Sequence, residues 1–511
     1  MAGDTDRRPV LDHPGTSGRT RARVLLRRVG PAVTVLDVSG YARDSDWSRV
    51  HAVVAGVGVA GFAAADALLS LGAAVTVIDG ADGERQRERA TVLEILGATI
   101  RLGDGESLPE SVDVLIVSPG LPPVAPVIRA ALDRGIPIWG ELELAWRLRG
   151  ADAAPWLTVS GTNGKTTTTL MLASILRAAG LRTAAVGNIG VSLVDAVMDP
   201  VGFDVLAVEV GAPQLPFLFS ASPLASVCLN LAPDHVDLFG SFEAYREAKA
   251  RIYRNTQVAA IYNDADPETE RMVAEADVVE GCRAIGITLG IPSRSMFGVV
   301  DDLLVDRAFV ENRGENAQEL ASIRDVRPFA PHNVGNALAA AALARAFGVS
   351  AEAVREGLRT FEPAGHRIAE VADVGGIRWV DDSKATNGHA AQTSLLAYES
   401  VVWIAGGLAK GQQFDDLVER TRGRLRGVVL LGADRDRIRE ALVRHAPEVP
   451  VVEVTRTDTG CMDAVVSAAA AMAKPGDTVL LAPGCASWDM FTDYAHRGDE
   501  FAASVARLVA G

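Results

Sequence analysis

Cysteine is the first scarcity. Four occur in 511 residues, at positions 228, 282, 461 and 485, far apart and with no CxxC pair. That spacing excludes a disulfide scaffold and fits reduced, structural thiols in a cytosolic protein. An excess of positive charge is also missing. Fifty Lys and Arg face 65 Asp and Glu, a net charge of −15, so a broad nucleic-acid surface is excluded. A polyanionic ligand must instead be met by local cations and backbone N–H groups. No apolar run approaches the roughly 20 residues that a membrane helix needs, which excludes membrane insertion. The first thirty residues are rich in Arg but hold no apolar signal core, so a secretory signal is not expected and the location is read as cytoplasmic. Residues 1–48 read as a flexible, polar extension with a lead-in strand. The remainder is an ordinary globular balance, 48% hydrophobic and 23% charged, and the length suits two to four domains.

What is present is organised around Ser160-Gly161-Thr162-Asn163-Gly164-Lys165-Thr166. The apolar run Trp156 to Val159 before it reads as a buried strand. Thr167 to Ala179 after it reads as a helix closed by Gly180. Strand, glycine turn, Lys-Thr and helix make a phosphate cradle, with backbone N–H groups and the helix N-terminus facing the anion. Lys165 can reach β- and γ-phosphates, and the Thr166 hydroxyl can ligate Mg²⁺. The general pattern has Gly six residues before the Lys, where Val159 stands here.

Upstream, the strand His51 to Ala55 runs into Gly56-Val57-Gly58-Val59-Ala60-Gly61, then a helix over Phe62 to Ser70 and a strand over Ala74 to Ile78 that ends at Asp79. This βαβ unit suits a dinucleotide, any nucleotide diphosphate such as a UDP-sugar, or glycines serving helix–strand packing alone. Asp79 can accept from a ribose hydroxyl. The strand Val114 to Val117 runs into Ser118-Pro119-Gly120, again at a strand's C-terminal end, where open α/β sheets place ligands.

In the central segment Gly187-Asn188-Ile189-Gly190 offers an amide side chain in a turn. Val205 to Val210 is an apolar strand with one carboxylate, Glu209, which is costly to bury unless it is paired or metal-bound. His235 follows another strand in a loop. His235 is either a surface loop histidine or, together with Glu209, completes a magnesium site. Ser241 to Arg254 reads as a helix whose face Phe242, Tyr245, Lys249, Ile252 carries a lysine in an apolar stripe. That lysine either snorkels or is a functional amine. Asn333 and Asn336 open an Ala-rich helix and serve as caps or hold a base edge. Beyond Phe361-Glu362-Pro363, polar clusters again follow apolar strands: Asp381 to Asn387, Gly406 to Gly411, and Pro483 to Asp489. Lys410 and Ser487 are candidates for one pocket that takes a small anion.

These residues together resemble the Mur ligase family. The match runs through Gly161 to Thr166, whose family form lacks the early glycine, then Asn188, Asp234-His235, Glu247-Ala248-Lys249, His332-Asn333 with Asn336, and Gly365-His366-Arg367. It covers nearly everything after about residue 50. Asp382 to Asn387, Ala486 to Asp489 and Arg497 to Phe501 are similar to the branch that adds D-glutamate.

The resemblance implies an α/β chain of three domains. These are a Rossmann-like UDP-binding domain over 49–152, a P-loop ATPase domain over 153–361, and a Rossmann-like, doubly wound amino-acid domain over 362–511. It implies an ATP-dependent, ADP-producing ligase that adds D-glutamate to UDP-N-acetylmuramoyl-L-alanine during cell-wall precursor synthesis, acting as a monomer. Gly58, Val59, Ala60, Asp79, Ser118, Pro119 and Gly120, with Asn188, would meet the UDP substrate. Gly161 to Thr167 would hold the ATP phosphates. Thr166, Glu209, His235 and Lys249, the last as a carbamate, would hold Mg²⁺. Lys165, Asn188, Glu209, His235 and Lys249 would be catalytic. Asn333 and Asn336 would meet adenine, with Arg367, Asp382, Lys384 and Thr386 around ribose and phosphates. Lys410, Ser487, Trp488 and Tyr494 would receive D-glutamate. Two departures stand out: Gly211-Ala212-Pro213 replaces a Ser-Ser-Phe segment, and Trp488 replaces a smaller residue. The alternatives are a sister or folylpolyglutamate-type ligase adding another amino acid, a nucleotide-gated switch, and a nicotinamide oxidoreductase.

Overall fold

The computed structural model describes residues 36–510 apart from His235, Thr457 and Thr459. Of the expected extension, positions 1–35 lie outside the described residues, as does the metal-ligand candidate His235. Over 36–48 the expected lead-in strand does not form. Turns lead instead into a 3-10 helix, Trp47–Arg49. This segment is pinned: Val38 and Trp47 are buried. The Asp113 carboxylate accepts from the Leu36 and His51 N–H groups at 2.9 and 2.8 Å. One side chain thus holds the lead-in against the first strand.

Among the described residues three sheets follow one another. The first has five parallel strands in the order Thr99–Leu102, Ala74–Asp79, His51–Ala55, Val114–Val117, Ile138–Gly140. The order reverses beside the first strand, so a crevice opens at its C-terminal end, where the glycine turn lies. Strands covered on both faces must be apolar throughout, and Val114 to Val117 are all buried.

The second sheet has nine strands. Trp156–Ser160 lies between Ala225–Cys228 and Val205–Glu209, with Thr183–Gly187 at the edge. Val159 pairs with Glu209, Gly187 with Glu209, and Ser160 with Cys228, all in parallel. This register brings the phosphate loop, Asn188 and Glu209 to one sheet edge. The stretch after residue 262 adds two more parallel strands, then the antiparallel Leu303–Asp306 and Gln318–Ser322. The Ala-rich helix Pro331–Phe347 has Ala337 to Ala344 wholly buried. Small side chains let it approach the neighbouring elements closely. The expected helix over 241–254 is shorter, Phe242–Ala250, capped by Ser241 and followed by a 3-10 turn.

The third sheet orders Ala369–Val374, Ile377–Asp381, Thr478–Leu481, Val401–Gly406, Leu425–Leu431 and Val451–Glu453. All pairs are parallel except the first, an antiparallel edge.

Two buried carboxylates bind the first sheet's last helix, Glu141–Leu148, to the second domain. Glu141 accepts from the Ser192 hydroxyl and the Leu193 N–H at 2.8 and 2.9 Å. Glu143 accepts from the Phe219 and Ser220 N–H groups at 2.9 and 3.0 Å and pairs with Arg147 at 2.8 Å. No helix among the described residues is long and apolar enough to cross a membrane.

Candidate active site

The phosphate loop forms as its sequence requires. The helix Lys165–Ala178 starts directly after Gly164, whose φ of 83° is left-handed. A Cβ there would lie 2.5 Å from Asn336 Oδ1, so only glycine fits. Val159 is a buried strand residue, which is why no early glycine is needed. The Lys165 ammonium donates to the Gly161 and Thr162 carbonyls at 2.9 and 3.0 Å. These contacts fold it back over the loop.

At the loop's far end the Thr166 hydroxyl donates to Glu209 at 2.7 Å. The Asn188 amide donates to the other Glu209 oxygen at 2.9 Å. The buried carboxylate thus has two donors, which offsets part of its desolvation. A hard cation that takes few protein oxygens and completes its shell from phosphates fits this Thr–carboxylate pair. Among the described residues no three His, Cys, Asp or Glu side chains converge on a metal position.

Lys249 is fully buried beside this pair. Its Nζ donates to the Gly161 carbonyl at 2.6 Å and to Ser160 Oγ at 3.1 Å. Burial, then the neighbouring Lys165 ammonium, pushes its pKa from 10.5 down to about 7. Of the two sequence readings, snorkelling is therefore excluded: the head group is inside, against the phosphate loop. Tyr245, one turn earlier, reaches Thr162 Oγ1 at 3.0 Å.

Two cavities collect expected ligand residues. One, of about 1000 Å³, is lined by Gly58, Val59, Ala60, Asp79, Ser118, Pro119 and Gly120 from the first domain and by Asn188 from the second. All of the residues expected at the UDP substrate therefore share it. One of them has a backbone task as well. Asp79 accepts from the Val57 and Ala81 N–H groups at 2.8 and 2.9 Å, shaping the glycine turn. Gly61 serves packing, since a Cβ there would sit 1.8 Å from the Gly56 carbonyl oxygen.

The other cavity, about 230 Å³, lies between the second and third domains. Asn163, Gly164, Thr167, Asn333, Asn336, Arg367, Asp382 and Lys384 line it. Thr386 does not; it is the one residue of the expected nucleotide set from the third domain that stays off this wall. The two asparagines differ in role. Asn333 spends its amide on the Pro328 carbonyl at 2.9 Å and its oxygen on the Asn336 amide at 3.1 Å, so it orients Asn336. Burial, then the Arg367 charge, lowers the Lys384 pKa to about 8. Burial raises Asp382 to about 7 against the hydroxyl of Ser394.

The residues expected at the amino acid form two groups, neither lining these cavities. The Lys410 ammonium lies over the Trp488 ring, 4.1 Å from its centroid, with Ser487 Oγ buried nearby in sequence and without a hydrogen-bond partner. Tyr494 instead lies under Lys384 at 3.8 Å. The Gly211-Ala212-Pro213 departure opens a 3-10 helix in which Gln214 Oε1 accepts from the Gly211 N–H at 2.7 Å. No hydroxyl stands there.

The sequence marked Arg497 only as part of a stretch resembling the D-glutamate-adding branch and gave it no role; buried, it donates to the Ser383 hydroxyl and carbonyl and to the Cys485 carbonyl, at 2.9, 2.8 and 3.1 Å. It ties the Asp382 loop to the Ser487 loop.

The architecture and site are those of a three-domain ligase, and the chain belongs to the Mur ligase family. Residues 159–344 match the Mur ligase middle domain, 366–485 the Mur ligase glutamate ligase domain, and 50–140 the MurD-like N-terminal domain. UDP-N-acetylmuramoylalanine–D-glutamate ligases from Streptomyces coelicolor and Streptomyces avermitilis are 62% and 61% identical over 467 and 464 residues. Each match covers 91% of this chain and 99% of the relative. Among solved structures, a pseudomurein peptide ligase type C from Methanothermus fervidus shares the fold. Its TM-score is 0.55 at 17% identity, covering 90% of this chain and all of the other.

Proposed function

We propose that this chain is the ligase that joins D-glutamate to UDP-N-acetylmuramoyl-L-alanine at the expense of ATP, in the cytoplasm and as a monomer. One observation carries the chemistry. Asn188 lines the larger cavity, its amide holds Glu209, and Glu209 holds Thr166 of the phosphate loop. A substrate carboxylate in the first cavity is thereby brought to the γ-phosphate of a nucleotide in the second. The high identity to D-glutamate ligases over 91% of the chain supports the amino acid. One chain supplies all three domains, so a monomer suffices.

Residues 49–152 would bind the UDP substrate, 153–361 would carry the ATPase, and 362–511 would bind D-glutamate. A carboxylate does not acylate an amine in water because oxide is a poor leaving group. Its oxygen attacks the γ-phosphorus, and ADP departs, leaving an acyl phosphate. The amine of D-glutamate adds to that carbonyl, and the tetrahedral adduct expels phosphate as the amide forms. Lys165, turned from its loop carbonyls, draws charge from the phosphoryl oxygens, and the loop N–H groups hold them in line. Magnesium, held by Thr166 and Glu209 with His235, would screen the same oxygens. Arg367, Lys384 and Asp382 orient the nucleotide from the third domain, with Thr386 acting from outside the cavity wall. Asn336 meets the base, oriented by Asn333. Lys410, Ser487 and Trp488 receive the carboxylates of D-glutamate, with Tyr494 behind Lys384. A neutral Lys249 amine is the form that adds CO₂; losing its proton, it becomes a carbamate and so an anionic ligand, which a free lysine is not.

The test is direct. The purified chain is incubated with the UDP substrate, Mg-ATP and one amino acid at a time, and the product is weighed. An amide with D-glutamate supports the reading. An amide only with another amino acid would reassign it to a sister activity.

A further inference from the structure

Asn163 of the phosphate loop is gripped from two domains. Its main chain belongs to the second domain: the N–H donates to Asn230 Oδ1 at 2.9 Å, and its carbonyl accepts from Asn230 Nδ2 at 3.1 Å. Its side chain is held by the third. Oδ1 accepts from Asn387 Nδ2 at 3.3 Å, and Nδ2 lies 2.8 Å from His389 Nδ1. The hydrogen-bond logic assigns the ring. Because Oδ1 is engaged as acceptor, Nδ2 faces the imidazole and has only hydrogens to give. His389 Nδ1 must therefore accept, and the ring is the neutral form with its proton on Nε2.

The contact sits where leverage is greatest. Asn387 also caps the helix Gly388–Leu396, its Oδ1 accepting from the Ala390 N–H at 2.8 Å, and the Gly388 N–H donates to Gln412 Oε1 at 2.9 Å. That helix continues directly from the loop carrying Asp382 and Lys384. Asn163 and His389 both line the smaller cavity. Burial keeps the ring neutral; of the charges facing it, Asp266 opposes this and Arg420 assists.

We propose that His389 is a positioning residue that, by accepting the Asn163 amide, clamps the third domain onto the phosphate loop and sets the span across which ATP is held. The inference rests on reading the smaller cavity as the ATP site. His389 acts through Asn163 and touches no reacting atom.

The full-length chain is compared with His389→Ala and His389→Gln. Glutamine offers an amide oxygen that can accept from Asn163, so it should rescue. One net hydrogen bond is worth a factor of about 2 to 12. His389→Ala is expected to raise KM for ATP and for D-glutamate by about that factor. KM for the UDP substrate, held between the other two domains, and Tm should stay fixed, and His389→Gln should recover most of the loss. A merely structural histidine would lower Tm and move all three KM values together, which would overturn the proposal. So would an unchanged KM for ATP in the alanine variant, or a glutamine variant no better than alanine. Calorimetric Kd values for a non-hydrolysable ATP analogue separate this from the functional reading. If wild type binds the analogue but makes no amide, the function falls and the clamp is judged by the Kd ratio. If wild type does not bind it, both fall.

Discussion

Replacing Lys249 by methionine should stabilise the protein while abolishing its activity. The side chain is fully buried, with its pKa pushed from 10.5 to about 7, first by burial and then by Lys165. Unfolded, the amine binds a proton below about pH 10.5; folded, only below about 7. Between those values the unfolded state carries more protons, so wild-type stability rises with pH through the window. At about 1.4 kcal/mol per unit, the full penalty is about 5 kcal/mol below pH 7. Methionine has nearly the same shape and no proton, so its stability lacks this dependence. Its lost contacts with Gly161 and Ser160 cost about 1 kcal/mol each at every pH. The variant's advantage should therefore be largest below pH 7 and shrink by about 2 kcal/mol between pH 7 and 9. Urea unfolding at pH 6, 7, 8 and 9 in CO₂-free buffer measures it, with equal m-values confirming the same exposed surface. A difference that does not vary with pH would refute the account of a buried free amine.

Other perturbations test other parts. Lys165→Ala should cut turnover about 10³-fold with Tm unchanged, as the loss of an electrostatic contact to the transferring phosphoryl group does; a near-normal rate would remove its role. Gly164→Ala places a methyl 2.5 Å from Asn336 Oδ1 at φ 83°, and calorimetry should find nucleotide binding lost. Lys384, charged below about pH 8, should give a KM for ATP that rises above that pH, and Lys384→Arg should flatten the rise. Trp488→Ala removes the ring under Lys410, and a loss of about 0.5–1 kcal/mol should appear as a two- to fivefold higher KM for D-glutamate with ATP unaffected.

What could be read in advance follows the range of the interactions. The phosphate loop was legible because its strand, glycines and helix are contiguous, and Val159 was explained once the loop's family form was seen. Lys249 announced itself by lying in an apolar stripe, and Glu209 by lying in an apolar strand. The dual task of Asp79 was not legible, since its partners are backbone N–H groups that any residue supplies. The Asn163–His389 contact spans 226 positions, and no local pattern encodes it. Glu141 and Glu143 carry no local sign that they bind two domains, since their partners lie about 50 and 76 positions away. The stretch after residue 262 carries no periodic signal because its strands are only four or five residues long, some paired in parallel and some in hairpins. Over 36–48 no local pattern marks the turns that Asp113 and the buried Trp47 hold against the first strand.

The central claim is that Asn188, Glu209 and Thr166 join a carboxylate-bearing UDP substrate to ATP. It is tested most directly by mass measurement of the product formed from UDP-N-acetylmuramoyl-L-alanine, D-glutamate and Mg-ATP. The account predicts one new amide per ATP consumed, with Glu209→Ala making almost none while still binding the UDP substrate. Phosphate release without any amide, or an amide formed equally well by Glu209→Ala, would contradict it.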